Sequence, residues 1–116
     1  MRSEPDDFLP LKPVVFQVLL SLADADRHGY GIVQDIATRT AARMQLKAGN
    51  LYGSLREMLE AGLIVEAGTR PAADLDDERR RYYRITPFGR KVAAAEASRL
   101  ADLVRDARVR LIKGRT

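Results

Sequence analysis

The segment after Thr86 constrains the fold more than any other part of the chain. Thr86 is a good N-cap and Pro87 suits a first helical position, so a helix is predicted from Pro87 to Ile112, ahead of Gly114. A helix of about 26 residues is roughly 40 Å long. Its apolar positions advance by four, three, four, three and four residues, at Ala93, Ala97, Leu100, Val104, Ala107 and Leu111.

This alternation is the heptad spacing of a helix that packs along its length on another helix. A chain of 116 residues offers no obvious internal partner for so long a seam, and a core of this size is marginal when alone. We therefore predict a homodimer in which the same helix of a second copy covers the seam. The domain organisation predicted is an N-terminal extension (1–12), a folded domain (13–86) and a dimerisation helix (87–116).

Three shorter helices are predicted upstream. The segment "PVVFQVLLSLA" (13–23) is apolar around nearly its whole circumference, which indicates a central, buried helix. A break at His28 and Gly29 precedes "IVQDIATRT", whose apolar residues recur at three-and-four spacing. A third helix, Asn50 to Ala61, carries one apolar stripe and is followed by Gly62, a good stop signal.

The apolar period changes to two after Gly62. Residues 63–68 and 80–86 are typical of two strands joined by the polar segment "TRPAADLDDER". Two strands form only a ribbon, which must pack on the helices to be stable. The predicted fold class is mainly α (α+β): a winged helix-turn-helix with a two-stranded β-hairpin wing and a long C-terminal dimerisation helix.

Composition and charge exclude several classes of protein. The chain has no cysteine, which excludes disulfides, thiolate zinc sites and a cysteine nucleophile. No apolar run approaches the roughly 20 residues of a membrane span, so the protein is predicted to be cytoplasmic, in association with the nucleoid. The net charge of +4 permits an acidic partner without proving one.

Neither an enzyme nor a metal or cofactor protein is predicted. The acidic run "DLDDE" could be taken for a calcium loop, but Arg79 stands where the loop glycine is expected. His28 is the single histidine and is interpreted as a structural residue at a helix start. No convincing buried pair of carboxylates is predicted on one face.

Two groups of residues are candidates for binding nucleic acid. The first is the arginine run of the hairpin, Arg79, Arg80 and Arg81, which suits phosphate because guanidinium donates two hydrogen bonds in one plane. The alternative is a solvated strand balanced by the neighbouring acids. The second is the polar side of the third helix, whose amide and cationic groups can pair with base edges and phosphate; its candidates are Lys47, Asn50, Tyr52, Ser54 and Arg56. The alternative there is an ordinary amphipathic helix.

Three stretches, in this order, resemble the PadR family of winged-helix transcriptional regulators. They are "HGYGI" (28–32), "LYGSLREMLEAGLI" (51–64) and "RRRYYRITPFGR" (79–90). The resemblance implies a three-helix core, a wing and a C-terminal helix that builds a homodimer. It also implies that the helix beginning near Asn50 enters the DNA major groove, that the three wing arginines face phosphate or minor groove, and that Tyr30 and Tyr52 lie near the DNA.

The chain departs from the family pattern at the start of its third helix. Where the family commonly has Ser-Pro-Gly-Thr, this chain has Lys47-Ala48-Gly49-Asn50, so the serine cap is lost and Asn50 faces the groove.

The predicted function is a homodimeric, sequence-specific repressor that reads an inverted repeat with half-sites about 34 Å apart. A small aromatic effector is also considered, with Phe8, Phe16 and Val92 as candidate contacts. The alternative function is a winged-helix module that binds protein and not DNA.

Overall fold

The computed structural model describes residues 4–69 and 81–112. A short 3-10 helix (Pro5–Phe8) precedes four α-helices and three β-strands. In chain order these are α1 (Pro13–Ala23), β1 (Arg27–His28), α2 (Gly29–Arg39), α3 (Ala48–Glu60), β2 (Ile64–Thr69), β3 (Arg81–Ile85) and α4 (Pro87–Leu111). The predicted fold class, mainly helical with a winged helix-turn-helix, is confirmed.

The core forms around α1, as predicted, but the helix is not buried on all sides, because Leu20 is 39 % exposed. Val18 and Leu19 of α1 are fully buried. The apolar stripes of α2 and α3 close over them, with Ile32, Ile36, Leu51, Leu55 and Met58 buried at three-and-four spacing. The helix pair α2–α3 is thereby held against α1, and the opposite side of α3 faces solvent.

The described sheet has three strands: β2 and β3 form the predicted two-stranded wing, and β1 is an additional strand that was not predicted. The strand order is β1-β3-β2, with β3 antiparallel to both neighbours. The added strand is only the dipeptide Arg27–His28, which pairs with Tyr83 and Tyr82. Two residues are too few to show an alternation of period two, so no sequence pattern could reveal this strand.

The end of α3 is fixed by the glycine that the sequence singled out. Gly62 has a φ of +79°, a conformation that costs glycine little because it has no Cβ. The Gly62 amide donates to the Leu59 carbonyl at 3.1 Å, and the Leu63 amide donates to the Met58 carbonyl at 3.0 Å. These two bonds make a Schellman motif, which satisfies the last carbonyls of the helix.

The same corner holds the start of α4, and we call the contact of Gly62, Leu63, Thr86 and Gly89 the α3–α4 joint. The Thr86 hydroxyl accepts from the Gly89 amide at 2.8 Å, which confirms it as the N-cap, and it donates to the Gly62 carbonyl at 2.7 Å. The Thr86 amide donates to the Leu63 carbonyl at 3.1 Å. Gly89 packs so closely on that carbonyl that a Cβ would overlap it.

Residues before α1 pack on α4. The rings of Phe8 and Phe88 meet edge to face at 5.5 Å between centroids. The Leu11 amide donates to Glu96 Oε2 at 3.3 Å, and Glu96 is only 3 % exposed. Arg99 donates to both carboxylate oxygens of Glu96, at 2.6 and 2.9 Å. These contacts tie the predicted N-terminal extension to α4.

The Glu96 carboxylate is expected to stabilise the fold in a pH-dependent way. Hydrogen bonds from Arg99 lower the pKa of Glu96, against the opposing effect of burial. Because the folded-state pKa lies below the usual value of about 4.3, this stabilisation is complete above that pH and disappears as the pH falls through the lowered pKa. We expect Glu96→Gln to reduce the free energy of unfolding by about 1–2 kcal/mol at pH 7.

Urea denaturation at pH 7 and pH 3 tests this expectation. The difference in unfolding free energy between Glu96→Gln and the unmodified chain should shrink at the lower pH. Glu60→Gln is the matched control, because Glu60 is exposed on α3. A loss in Glu96→Gln that is equally large at both pH values would contradict the ionic origin of the effect.

Helix α4 presents two different faces. Gly89, Val92 and Glu96 are buried against the chain's own domain. Of the predicted seam, Ala93, Leu100 and Ala107 are half-buried, whereas Ala97, Val104 and Leu111 are exposed.

Although α4 has 25 residues, neither it nor any other helix within the described ranges is long and apolar enough to cross a membrane.

Candidate nucleic-acid interface

The outer side of α3 is polar and open. Burial of Leu51, Leu55 and Met58 turns Asn50, Tyr52 and Arg56 outward. Ser54 is half-buried on the flank. The helix begins at Ala48, two residues before the predicted Asn50. Lys47 is its N-cap and makes no side-chain capping bond.

At this uncapped start, backbone N–H groups of α3 can donate hydrogen bonds to an acceptor outside the chain. The first backbone N–H groups of a helix have no partner within the helix, and together with the helix dipole they favour an anion. Gly49 and Gly53 keep the surface beside them low, since a Cβ at either position would meet nothing within 4 Å. The start of α3 therefore combines backbone N–H groups that have no partner within the helix with a low surface at Gly49 and Gly53.

Tyr30 and Tyr52 lie where α2 begins against α3. Tyr30 is 65 % exposed, and its ring is parallel to that of His28 with centroids 6.5 Å apart. Tyr52 is 43 % exposed and rests on Gly29, where a Cβ would approach the tyrosine hydroxyl oxygen to 2.5 Å. Both tyrosines that the family resemblance placed near DNA are thus accessible to solvent.

His28 positions this aromatic patch. Its Nδ1 accepts a hydrogen bond from the Gly31 amide at 3.0 Å and so caps α2. Its ring also meets Tyr82 of β3 edge to face at 5.2 Å. The predicted structural role of His28 at a helix start is confirmed.

The arginines of the wing stem have acidic partners. Arg81 lies 3.4 Å from Glu66 across the β2–β3 ladder. Arg84 donates to both carboxylate oxygens of Asp26, at 3.2 and 2.8 Å, and these bonds raise the pKa of Arg84. Arg79 and Arg80 lie outside the described residues. The inner face of the stem holds Tyr83, whose pKa is raised by burial and by Glu66.

Three cations of α3 and the connector before it are in the opposite situation, whereas Arg39 of α2 pairs with Asp35 at 2.9 Å. Within residues 4–69 and 81–112, Arg43, Lys47 and Arg56 have no carboxylate within salt-bridge distance and all three side chains are exposed. Arg43 belongs to the α2–α3 connector, which turns through Ala41 and Ala42 at positive φ. Arg43 was not among the residues predicted from the sequence to bind DNA; a cation in the short segment between two helices was the available signal.

The three candidate effector contacts differ in burial. Val92 is fully buried in the core, and Phe16 is half-buried on α1. Phe8 alone lines a cleft of about 270 Å³, which opens between the segment before α1, α1 itself and α3. Phe16 and Val92 do not line this cleft, so the effector contacts stay a prediction from the sequence.

Comparisons with known proteins agree with this architecture. The sequence profile described as the transcriptional regulator PadR-like family matches residues 18–95. An uncharacterized protein of Lysinibacillus sphaericus is 33 % identical over 92 residues, which cover 74 % of this chain and 82 % of that protein.

Solved structures that share the fold include the following two. A PadR family transcription regulator from Clostridium difficile R20291 superposes with a TM-score of 0.71 at 20 % identity, covering 86 % of this chain and 99 % of that one. Bacillus subtilis PadR in complex with operator DNA superposes with a TM-score of 0.60 at 18 % identity, covering 77 % of this chain and 47 % of that one. At these identities the likeness concerns the fold.

Proposed function

Because the chain belongs to the transcriptional regulator PadR-like family, we propose that it is a homodimeric, sequence-specific DNA-binding repressor. The observation that carries this proposal is a group of unpaired cations on α3 and on the segment that leads into it. Arg43, Lys47 and Arg56 are exposed and without carboxylate partners in the described part of the chain, and all three belong to α3 or its approach. DNA phosphates can bind these side chains without any ion pair within the protein having to be broken first.

Readout of sequence is assigned to the exposed side of α3. Asn50 can pair bidentately with adenine, and Arg56 with guanine or with phosphate. The uncapped amides at the start of α3 and the hydroxyls of Tyr30 and Tyr52 would hold phosphates and fix the register of the helix. The structure of Bacillus subtilis PadR with operator DNA shows that this fold can bind DNA.

Contact by the wing is proposed to be secondary. Arg81 would have to exchange Glu66 for phosphate, and an exposed ion pair of this kind is worth less than about 1 kcal/mol. Breaking the Arg81–Glu66 ion pair therefore costs little free energy. Arg81 nevertheless contributes less to the free energy of DNA binding than an unpaired cation would. Arg79 and Arg80 remain proposed phosphate contacts from the sequence.

Two copies are needed to read an inverted repeat, and α4 is proposed as the dimer contact. Val104 and Leu111 on the predicted seam are 48 % and 70 % exposed in the single chain. Heptad-spaced apolar residues that lack a partner in their own chain favour pairing with the same helix of a second copy. Repression follows where the operator overlaps a promoter, and a small molecule or another signal would release it.

Salt dependence of DNA binding tests the electrostatic part of this proposal. With three unpaired cations on each of two subunits, the affinity for a promoter fragment of the protein's own gene should fall about 10³-fold between 50 and 200 mM salt. Lys47→Ala should weaken binding to all sequences and reduce the slope of log affinity against log salt by about 2 per dimer. Fluorescence anisotropy with labelled duplex measures both.

Lys91→Ala is the control for that titration, because Lys91 is exposed on α4 and is not among the proposed DNA contacts. It should leave the slope unchanged. A flat salt response of the unmodified chain, with no binding at 50 mM salt, would instead favour the alternative of a protein-binding winged helix.

Asn50→Ala tests base readout separately. We expect it to cost about 1–3 kcal/mol on the preferred operator and much less on unrelated DNA. Binding-site selection from random DNA with both proteins should show relaxed preference at one position of each half-site. An equal loss on every sequence would assign Asn50 to phosphate contact.

A further inference from the structure

The turn between α2 and α3 contains two consecutive alanines in the left-handed region of backbone conformation. Ala41 has a φ of +55° and Ala42 has a φ of +66°. The Ala42 amide donates to the Ala37 carbonyl at 2.7 Å, and the Ala41 amide donates to the Thr38 carbonyl at 3.2 Å. These two bonds make a Schellman motif, the same type of ending that α3 has at Gly62.

Alanine is an uncommon residue at such positions. In the left-handed conformation the Cβ of an L-residue comes too close to the following carbonyl oxygen, so glycine is the usual residue there. The chain has glycine at the end of α3, where Gly62 has a φ of +79°, but it has alanine twice at the end of α2. Strain of this kind persists only where neighbouring contacts hold the backbone, and it is concentrated at functional sites. The two alanines therefore indicate a turn whose shape is held by other residues.

Thr40 provides the contacts that hold this turn. Its side chain is half-buried, and its hydroxyl donates to the Ile36 carbonyl at 2.8 Å and accepts from the Met44 amide at 3.1 Å. The Arg43 amide donates to the Thr40 carbonyl at 3.0 Å. One residue at the end of α2 thus fixes the peptide groups on both sides of the Arg43 α-carbon.

The side chain that this turn holds is one of the exposed cations. Within residues 4–69 and 81–112, Arg43 has no carboxylate within salt-bridge distance. An arginine that binds a phosphate loses conformational freedom, and the loss is smaller where the backbone that carries it is already ordered. A fixed backbone also limits which phosphate the guanidinium can reach, and such contacts set the register of a protein on the duplex.

We propose that Thr40 and the left-handed pair Ala41 and Ala42 are positioning residues for DNA binding, which fix the backbone of Arg43 so that its guanidinium contacts a phosphate of each half-site. This inference rests on the proposed function, because the partner assigned to Arg43 is the DNA backbone. The strain of the turn is then retained because it fixes the position of a cation.

Ala42→Gly separates this role from a purely structural one. Glycine relieves the strain, so the melting temperature should rise by about 3–6 °C. Glycine also gives the turn more backbone conformations, which must be ordered on binding, so the affinity of the dimer for DNA should fall by about fivefold or more. Loss of the fold cannot produce a chain that is more stable and yet binds DNA more weakly.

Thr40→Val tests the bonds that hold the turn. Valine has the shape of threonine without the hydroxyl, so DNA affinity should fall by about fivefold or more. Thr40→Ser keeps the hydroxyl and should bind within about twofold of the unmodified chain. Thr38→Val is the matched control and should leave the affinity unchanged, because Thr38 is exposed on α2 and its hydroxyl makes no hydrogen bond to the described residues.

Arg43→Ala provides the background in which the positioning role disappears. Alone, it should weaken binding to all sequences and reduce the slope of log affinity against log salt by about 2 per dimer. In the Arg43→Ala chain, Ala42→Gly and Thr40→Val should each change the affinity by less than about twofold. Losses as large in this background as in the unmodified chain would overturn the proposal, and so would an Ala42→Gly or Thr40→Val variant that binds DNA as tightly as the unmodified chain.

Amide hydrogen exchange gives a measurement that needs no DNA. The Met44 amide should exchange at least about tenfold faster in Thr40→Val, because its acceptor is removed, and Thr40→Ser should restore slow exchange. The Leu51 amide, which donates to the Lys47 carbonyl at 3.0 Å, should exchange at the same rate in all variants. Unchanged exchange at Met44 in Thr40→Val would overturn the proposal. Absence of DNA binding by the unmodified chain would instead refute the proposed function, and with it the role of this turn.

Discussion

Replacement of Val104 with aspartate is expected to convert the proposed dimer into a monomer and to weaken operator binding by about 10²–10⁴-fold. Val104 is 48 % exposed in the single chain, so the substitution disturbs little within the subunit. In the dimer it would place two carboxylates in an apolar seam, and like charges deprived of water repel strongly. Loss of the second subunit removes the bivalent contact that makes an inverted repeat a strong site.

Sedimentation equilibrium and operator titration measure the two effects. Leu100→Asp should act in the same direction, with some loss of stability because Leu100 is half-buried. Val109→Asp is the matched control: Val109 is 52 % exposed on α4 but lies five residues on, about 140° around the helix from Val104. A dimeric Val104→Asp, or a monomeric Val109→Asp, would refute pairing through the predicted seam.

Gly89→Ala is expected to lower the free energy of unfolding by about 2–4 kcal/mol. A Cβ at this position would overlap the Leu63 carbonyl oxygen, which is backbone and cannot turn aside. The first turn of α4 would have to move, and the Thr86 cap with it. Since small domains are stable by only about 5–15 kcal/mol, this is a large share of the total.

Gly53→Ala supplies the control, because the same chemical change should have the opposite sign. Gly53 is also helical, but a Cβ there meets nothing within 4 Å. Alanine should therefore stabilise the chain by about 0.5–1 kcal/mol through helix propensity. Urea denaturation of both variants gives the comparison, and a Gly89→Ala variant as stable as Gly53→Ala would contradict the close packing at the joint.

Features written in local sequence could be predicted. The Thr86 cap, the Pro87 start and the Gly62 stop each depend on a few neighbouring residues, and each is confirmed. The apolar stripes of α1, α2 and α3 depend on periodicity alone, which a single chain displays directly. The apolar stripe of α3 also predicts which side of that helix is exposed. The candidate recognition residues could therefore be selected from the sequence.

Features made by distant pairing could not be predicted. Strand β1 exists only because β3 pairs with it. Glu96 is a buried carboxylate because Leu11, 85 positions away, donates to it. Asp26 and Arg84 are 58 positions apart, so the sequence could not reveal which arginines are already paired and which remain available to a phosphate.

The α3–α4 joint has a consequence for the spacing of binding sites. In a dimer paired through α4, the distance between the two α3 helices would be fixed at this joint. The contacts of Thr86 and Gly89 hold the first turn of α4 in one orientation relative to α3. One inserted base pair moves a half-site by about 3.4 Å and turns it by about 35°. Because the α3–α4 joint does not allow α3 to move by that much relative to α4, the dimer should bind operators with one fixed half-site spacing more tightly than operators with any other spacing.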